Sequence, residues 1–363
     1  MHRLIVRLAA VAAIVTAALA AAAPLQAVPN DDRYTVAGIV SDLGTLAPNV
    51  DPNLHNGWGL TASPTSPWWV SDNDTNKASL YTASGTINAL APEVDGGPTG
   101  TVFAGIAGEF QVGTATAPTT LAPASFIFAS QDGKIRAWRG GTAALVTASA
   151  PTPGASYFGL AISGTGSDAR IYAADFANRH VDVFDGSWNV ATAPGAFTEP
   201  HLPADYGPFG IQTIGNRVFV AFAEQGPDGD EVHAPGAGIV DAFDLNGTFL
   251  SRVASHGDLN APWGLALAPA SGFGPFSGDL LIGNFGDGTI QAMRERPDGT
   301  WDHEGLIRDS HRLKVTIDGL WALQFGHGSA NNGPATTLFF TAGPNDEVDG
   351  LFGSITPVAT PTA

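Results

Sequence analysis

The chain has 363 residues, with 45 Gly and 26 Pro, no cysteine, and 34 acids against 16 Lys and Arg. A net charge of −18 excludes binding to nucleic-acid phosphates or anionic lipid as a main role. The absence of cysteine excludes a small disulfide-stapled fold, and the Gly and Pro content suits many short strands joined by tight turns.

Residues 1–27 read as a secretory signal. Arg3 and Arg7 form a basic start, Leu8 to Ala23 is apolar, and Leu25-Gln26-Ala27 offers a cleavage site. The expected location is therefore outside the cytoplasm, periplasmic or extracellular. Pro24 directly after a short apolar run argues against a membrane anchor. Removal of the segment takes away two Arg and no acid, so the remaining chain is more acidic still.

From residue 28 to 357 the chain repeats one pattern. "GWGLTASP", "YFGLAIS", "PFGIQTI" and "PWGLALAP" each place an aromatic and a glycine before an apolar run. A Gly/Pro loop, a second apolar strand, an acidic or Asn-rich turn and a third strand follow. Two weaker copies begin near 98, without the aromatic, and near 319, where Ala322 replaces the glycine. The six beats begin near 56, 98, 157, 208, 262 and 319. Their aligned aromatic positions are 58, 99 (Thr), 158, 209, 263 and 321. These spacings match the beat of a β-propeller blade, where four strands plus turns take roughly 40–50 residues. "RIYAADF", "RVFVAFA", "DLLIGNF" and "TLFFTA" are apolar runs of strand length, as expected for strands covered on both faces. The fold class is all-β, a six-bladed β-propeller. The strand at 33–44 is left over before the first beat and is predicted to close the ring as the outer strand of blade six, which removes an open edge. Residues 358–363 read as a flexible tail, and a monomer is expected.

The loops entering the inner strands, and those between second and third strands, belong on one rim. That rim gathers the chemistry. Asp72-Asn-Asp-Thr-Asn76 resembles the first half of a calcium loop, but Lys77 and Ala83 stand where its glycine and glutamate belong. It reads first as a polar turn. A divalent cation such as Ca2+, held across blades by Asn56, Asp72, Asp175 and Asn284, is the functional alternative. "GNFGDGTI" at 283–290 lacks the helix and basic residue of a phosphate loop and reads as a hairpin turn. His55, His180 and His233 are the rim histidines that could serve as a general base beside an acid. Trp58, Tyr157, Phe209, Trp263 and Trp321, with Asn260, recur at inner-strand starts. They read as packing between blades, or as an aromatic mouth for a ligand.

The stretches "SPWWVSDN", "LNAPWGLALAP", "LLIGNFGDG" and "GLWALQFG", in this order, resemble an uncharacterised family of exported bacterial proteins with NHL-like propeller repeats. That resemblance implies the propeller and supplies no catalytic residue. More distantly, the chain resembles six-bladed lactonases and gluconolactonase-like hydrolases, whose channel metal is held by Glu, Asn and Asp. It lacks an obvious glutamate at an inner-strand start. Two functions follow. The first is a secreted binding or scaffold module that takes a small molecule, glycan or peptide at the rim. The alternative is a metal-dependent ester or lactone hydrolase.

Overall fold

The apolar runs become strands with no exposed face. Trp68–Asp72, Phe126–Ser130, Leu280–Asn284 and Leu338–Ala342 are buried at every residue. The computed structural model describes residues 33–358. The expected signal at 1–27 and residues 359–363 of the expected tail lie outside the described residues.

Six antiparallel sheets follow one another along the chain. Their innermost strands are Gly57–Thr61, Pro98–Phe103, Tyr157–Ser163, Tyr206–Ile214, Pro262–Leu267 and Leu320–Phe325. They belong to blades one to six in that order. Blade two carries an extra hairpin, Gln111–Thr114 with Ala117–Pro123. Blade six is completed by the N-terminal strand Arg33–Ser41, which pairs antiparallel with Leu351–Pro357. Pairing of the first and last described strands thus closes the ring and covers the edge of Leu351–Pro357.

Each wedge between neighbouring blades holds its own apolar cluster. Trp69 and Phe128 sit between blades one and two, Ile127 and Ile171 between two and three, and Tyr172 and Val220 between three and four. Phe219 and Ile282 fill the next wedge, Leu281 and Phe340 the fifth, and Trp68 and Phe339 the sixth.

The recurring aromatic-glycine pair has two separate structural jobs. Every inner strand carries a break in register at this place: between Gly57 and Leu60, Pro98 and Thr101, Tyr157 and Gly159, Pro208 and Gly210, Pro262 and Gly264, and Leu320 and Leu323. A bulge leaves a residue outside the ladder and re-aims its side chain. Here it turns Trp58, Phe158, Phe209, Trp263 and Trp321 toward one another across the axis. The glycine that follows faces the next blade. A Cβ on Gly59 would stand 2.3 Å from Thr99 O, one on Gly100 2.2 Å from Leu160 N, and one on Gly210 2.0 Å from Trp263 O. At these three positions backbone meets backbone near the axis, and a side chain there would collide with the next blade.

Candidate functional site

The aromatics fill the channel instead of lining an open one. Trp58 stacks on Trp321 at 3.7 Å, and Phe285 stacks on the other side of Trp321 at 3.9 Å. Phe158 meets Trp58 edge-on at 5.1 Å and packs on Phe176 and Phe209. Trp58, Phe209 and Trp321 are no more than 2% exposed. Trp263 is half-buried and its indole N–H donates to the Phe158 carbonyl at 3.3 Å. Beneath this plug, between Gly59, Leu160, Ile211 and Leu265, there remains a void of about 30 Å³, room for about one water molecule.

Above the plug a mouth of about 330 Å³ stays open. Trp58, Phe158 and Trp321 form its floor, and Gln131, Asp230, Glu231, His233 and Glu347 its walls. Blade two has the small Thr99 where the other inner strands have an aromatic, and its hydroxyl is spent on the Tyr157 carbonyl at 2.7 Å. Gln131 of that same blade borders the mouth. The long loop 225–238 of blade four brings in Asp230, Glu231 and His233, and blade six supplies Glu347.

Two polar arrangements define the walls. His233 Nε2 lies 3.1 Å from Glu231 Oε1, and its ring meets Phe285 edge-on at 5.2 Å. The hydrogen bond with Glu231 holds the imidazole above its ordinary pKa, against partial burial. On the other wall the Trp321 indole N–H donates to Asn56 Oδ1 at 3.0 Å, and Asn56 Nδ2 donates to Glu347 Oε2 at 2.6 Å. Asn56 therefore ties a floor tryptophan to a wall carboxylate. Burial pushes the Glu347 carboxyl up, with Asn56 opposing and the charges of Glu231 and Asp74 reinforcing.

Glu347 is held in unusual backbone. Asn345, Asp346 and Glu347 all have positive φ, 57°, 54° and 66°, as one turn of left-handed helix. Left-handed helix costs L-residues roughly 1–2 kcal/mol each. The turn is held by the Glu347 N–H to the Gly343 carbonyl at 3.1 Å and the Asn345 N–H to Asp318 Oδ2 at 2.9 Å. Strain of this kind concentrates where a side chain must be aimed.

The sequence-predicted residues divide among different places. Trp58, Trp321 and His233 meet at the mouth. Phe209 is buried inside the plug and Trp263 faces the void below it. Tyr157 points the other way, into the wedge between blades two and three, where its hydroxyl donates to Asp182 Oδ2 at 2.6 Å. The bulge selects its neighbour Phe158 for the channel. Asn260 is 5% exposed and pressed under Gly286; its N–H donates to Asn284 Oδ1 at 3.1 Å. His55 is engaged with the Val348 carbonyl at 2.8 Å, and His180 lies against Asp182 at 3.1 Å.

Three of the four predicted cation ligands make local side-chain hydrogen bonds, and Asp72 makes none. Asn56 bridges Trp321 and Glu347, and Asn284 Nδ2 binds the Asp258 carbonyl and Thr289 Oγ1. Asp72 is buried with neither carboxylate oxygen hydrogen-bonded. Asp175 accepts from Ser156 N, Asn178 N and Asn178 Nδ2. Asp175 lies in a compact group of potential metal ligands with His180 and Asp182. Sequence reading did not single out Gln131, Asp230, Glu231 or Glu347. Their common signal is position: all lie in turns between second and third strands.

Comparison with known proteins gives kinship without an activity. Over 337 residues, 87% of this chain and 78% of the relative, it is 30% identical to the uncharacterised protein R648 of Acanthamoeba polyphaga mimivirus. The chain belongs to the R648 family. A second uncharacterised mimivirus protein is 29% identical over 335 residues, 87% of this chain and 84% of that one. No protein-family profile matches the chain. Among solved structures, a Bacteroides thetaiotaomicron protein of unknown function superposes with a TM-score of 0.56 at 10% identity, covering 89% of this chain and 76% of that one. The apo form of the soluble aldose sugar dehydrogenase of Escherichia coli gives 0.54 at 13% identity, covering 90% and 100%. A streptogramin B lyase gives 0.50 at 12% identity, covering 90% and 99%. These likenesses establish the six-bladed propeller for this R648 family member and carry no activity to it.

Proposed function

We propose that the protein is a binding module whose ligand, a small organic cation, sits in the mouth of the plugged channel. The observation that carries this reading is the composition of that cavity: an aromatic floor under walls bearing Asp230, Glu231 and Glu347. Converging carboxylates favour positive charge, and aromatic faces and edges beneath it accept a cation's apolar body. A rigid plug also means the site is formed before the ligand arrives, which lowers the entropic cost of binding. On the sequence of residues 1–27 we place this activity outside the cytoplasm, as in the exported proteins whose repeats the chain resembles.

The test is thermal unfolding at low ionic strength with spermidine, tetramethylammonium and glucose as probes. The two cations raise Tm in the wild type, and the rise shrinks in Glu231→Gln and Glu347→Gln. An equal rise with glucose, or cation responses unchanged in both variants, would refute the reading.

The His233–Glu231 pair favours a second reading, hydrolysis of a small ester or lactone with His233 as general base. This reading rests on the pair alone. Turnover of p-nitrophenyl acetate by the wild type, lost in His233→Gln with Tm unchanged, would support it. Equal turnover by both proteins removes it.

A further inference from the structure

A hairpin of blade three carries a second polar cluster that the mouth does not use. Asp175 ends the strand Arg170–Asp175, His180 begins the strand His180–Asp185, and the two are direct cross-strand partners. Asp182 lies two residues beyond His180 on the same side of its strand. Asp175 and Asp182 are 0% and 2% exposed, whereas the His180 side chain is 35% exposed.

Both nitrogens of His180 face acceptors. Nδ1 is 3.3 Å from the Asn178 carbonyl oxygen, while Nε2 is 3.1 Å from Asp182 Oδ1 and 3.7 Å from Asp175 Oδ2. A ring so placed needs either a proton on each nitrogen, or a proton on Nδ1 and a cation at Nε2. Charge separates the two. One imidazolium leaves a buried carboxylate uncompensated, and the neighbouring Arg179 guanidinium is committed to Gln225 Oε1 at 2.7 Å. One divalent ion balances both carboxylates with a neutral imidazole.

The spacing fits such an ion. One ligand atom from each of the three residues lies within 4.8 Å of the others. A tetrahedral ion with bonds of about 2.0–2.1 Å holds its ligand atoms about 3.3–3.4 Å apart. The two His180 separations, 3.1 and 3.7 Å, bracket that requirement. The outer contacts fix the ligands in place. The Tyr157 hydroxyl donates to Asp182 Oδ2 at 2.6 Å, and the Ser156 and Asn178 N–H groups hold Asp175 Oδ1 at 3.1 Å each. Partners of this kind orient metal-binding carboxylates and imidazoles. The His180 side chain, 35% exposed, is the part of the group that solvent reaches.

We propose that Asp175, His180 and Asp182 bind one divalent ion of the zinc class, with solvent completing its coordination. A mixed nitrogen and oxygen set selects this class over Ca2+ or Mg2+, which prefer oxygen alone. The site is independent of the ligand proposed for the mouth.

Tag-free protein is stripped with chelator, dialysed, and titrated with Zn2+ by calorimetry and with Co2+ by visible absorption. One ion binds per chain, Co2+ develops ligand-field bands of a low-coordinate site, and Tm rises with Zn2+. His180→Ala weakens binding by more than about 100-fold, beyond what loss of an outer partner costs, and Tyr157→Phe weakens it by about 10-fold. His180→Gln serves as the second variant should the alanine form not fold. Absence of binding to the wild type overturns the proposal. So does Zn2+ binding that persists unchanged in a folded His180 variant, or a preference for Ca2+ over Zn2+.

Discussion

Replacing Gly210 by Ala tests why the inner strands read aromatic-glycine. Gly210 does not have a positive φ, so alanine meets no conformational penalty there. The cost is contact. The new Cβ would stand 2.0 Å from Trp263 O, 2.7 Å from its carbonyl carbon and 2.8 Å from its Cα. These are backbone atoms of the bulged residue of blade five, held between the pairs Pro262–Asn284 and Gly264–Gly283. Relief requires separating two blades by about 1 Å at the axis, where the packing is tightest. Overpacking costs about 1–3 kcal/mol when side chains can give way. Here only backbone can, so we expect at least about 3 kcal/mol, offset by about 0.4–1 kcal/mol from the stiffer unfolded chain. Gly159 is the internal control. Its nearest neighbours are Phe209 O at 3.0 Å and Ile211 Cγ2 and N at 3.1 Å, a contact that small shifts relieve. Gly159→Ala should therefore cost no more than about 1 kcal/mol. Blade six already carries Ala322 at the corresponding place. Guanidinium chloride unfolding of the alanine variants at 59, 100, 159, 210 and 264, made separately, reads the series. The expected order of cost is Gly210, Gly100 and Gly59 first, then Gly264, whose Cβ would lie 2.6 Å from Trp321 O, and Gly159 last. The reasoning fails if Gly210→Ala costs no more than Gly159→Ala.

Three further outcomes follow from buried charge and strained backbone. Burial, reinforced by Asp51 and opposed by Ser79 and Lys77, holds the Asp72 carboxyl well above its ordinary value. A raised folded pKa means its contribution is complete below the unfolded value of about 3.9 and is lost as pH rises through the folded value. Asp72→Asn removes that titration and should flatten stability against pH, its effect becoming more favourable as pH rises; an unchanged pH profile would contradict this. Arg252 binds Asp241 Oδ1 and, at 2.8 Å, Glu199 Oε2, while burial lifts Asp241 to about 6 despite that pairing. Arg252→Ala should cost about 3 kcal/mol at pH 7.5 in urea melts, the low end for a buried pair because Arg252 is partly exposed. The cost should be visibly smaller at pH 5, where Asp241 takes a proton; a pH-independent cost would rule out the assigned charge. Asp346→Gly relieves one left-handed residue and should raise stability by up to about 1 kcal/mol in denaturant melts, whereas a loss would show that Asp346 makes a contact of its own.

The fold was legible because its requirements are local and repeated. A strand buried on both faces must be apolar throughout, and "DLLIGNF" and "TLFFTA" announce that without a partner in view. Glycine after the aromatic is legible for the same reason: the approach to the next blade recurs in blades one to five. The direction of the aromatic was not. Tyr157 and Phe158 are adjacent and both bulky, and only the bulge between Tyr157 and Gly159 decides which of them enters the channel. The mouth was harder still. Glu231 and Glu347 belong to different blades, and neither has a sequence neighbour that hints at the other. They share a cavity because the ring closes. The Asp175, His180 and Asp182 group lies between these extremes. A cross-strand pair plus a residue two positions on places three side chains together on one hairpin. That geometry is readable once the hairpin is recognised, yet residue types alone assign Asp175 to a cation and His180 to a general base, without joining them or including Asp182.

The plug changes where specificity can reside. With Trp58, Phe158, Phe209, Phe285 and Trp321 packed across the axis, the inner strands present aromatic faces and edges to a ligand and nothing polar of their own. Every polar wall group therefore comes from a turn: Gln131 from blade two, the 225–238 loop from blade four, and the left-handed turn at Glu347 from blade six. Stability and recognition are carried by different residues. The aromatic-glycine beat builds a rigid floor, and the turns above it set which molecule rests there. Asn56 is the exception, since one amide fixes both the floor tryptophan and the wall carboxylate. Its loss would disturb the two together, making it the residue through which packing of the plug and charge at the mouth are coupled.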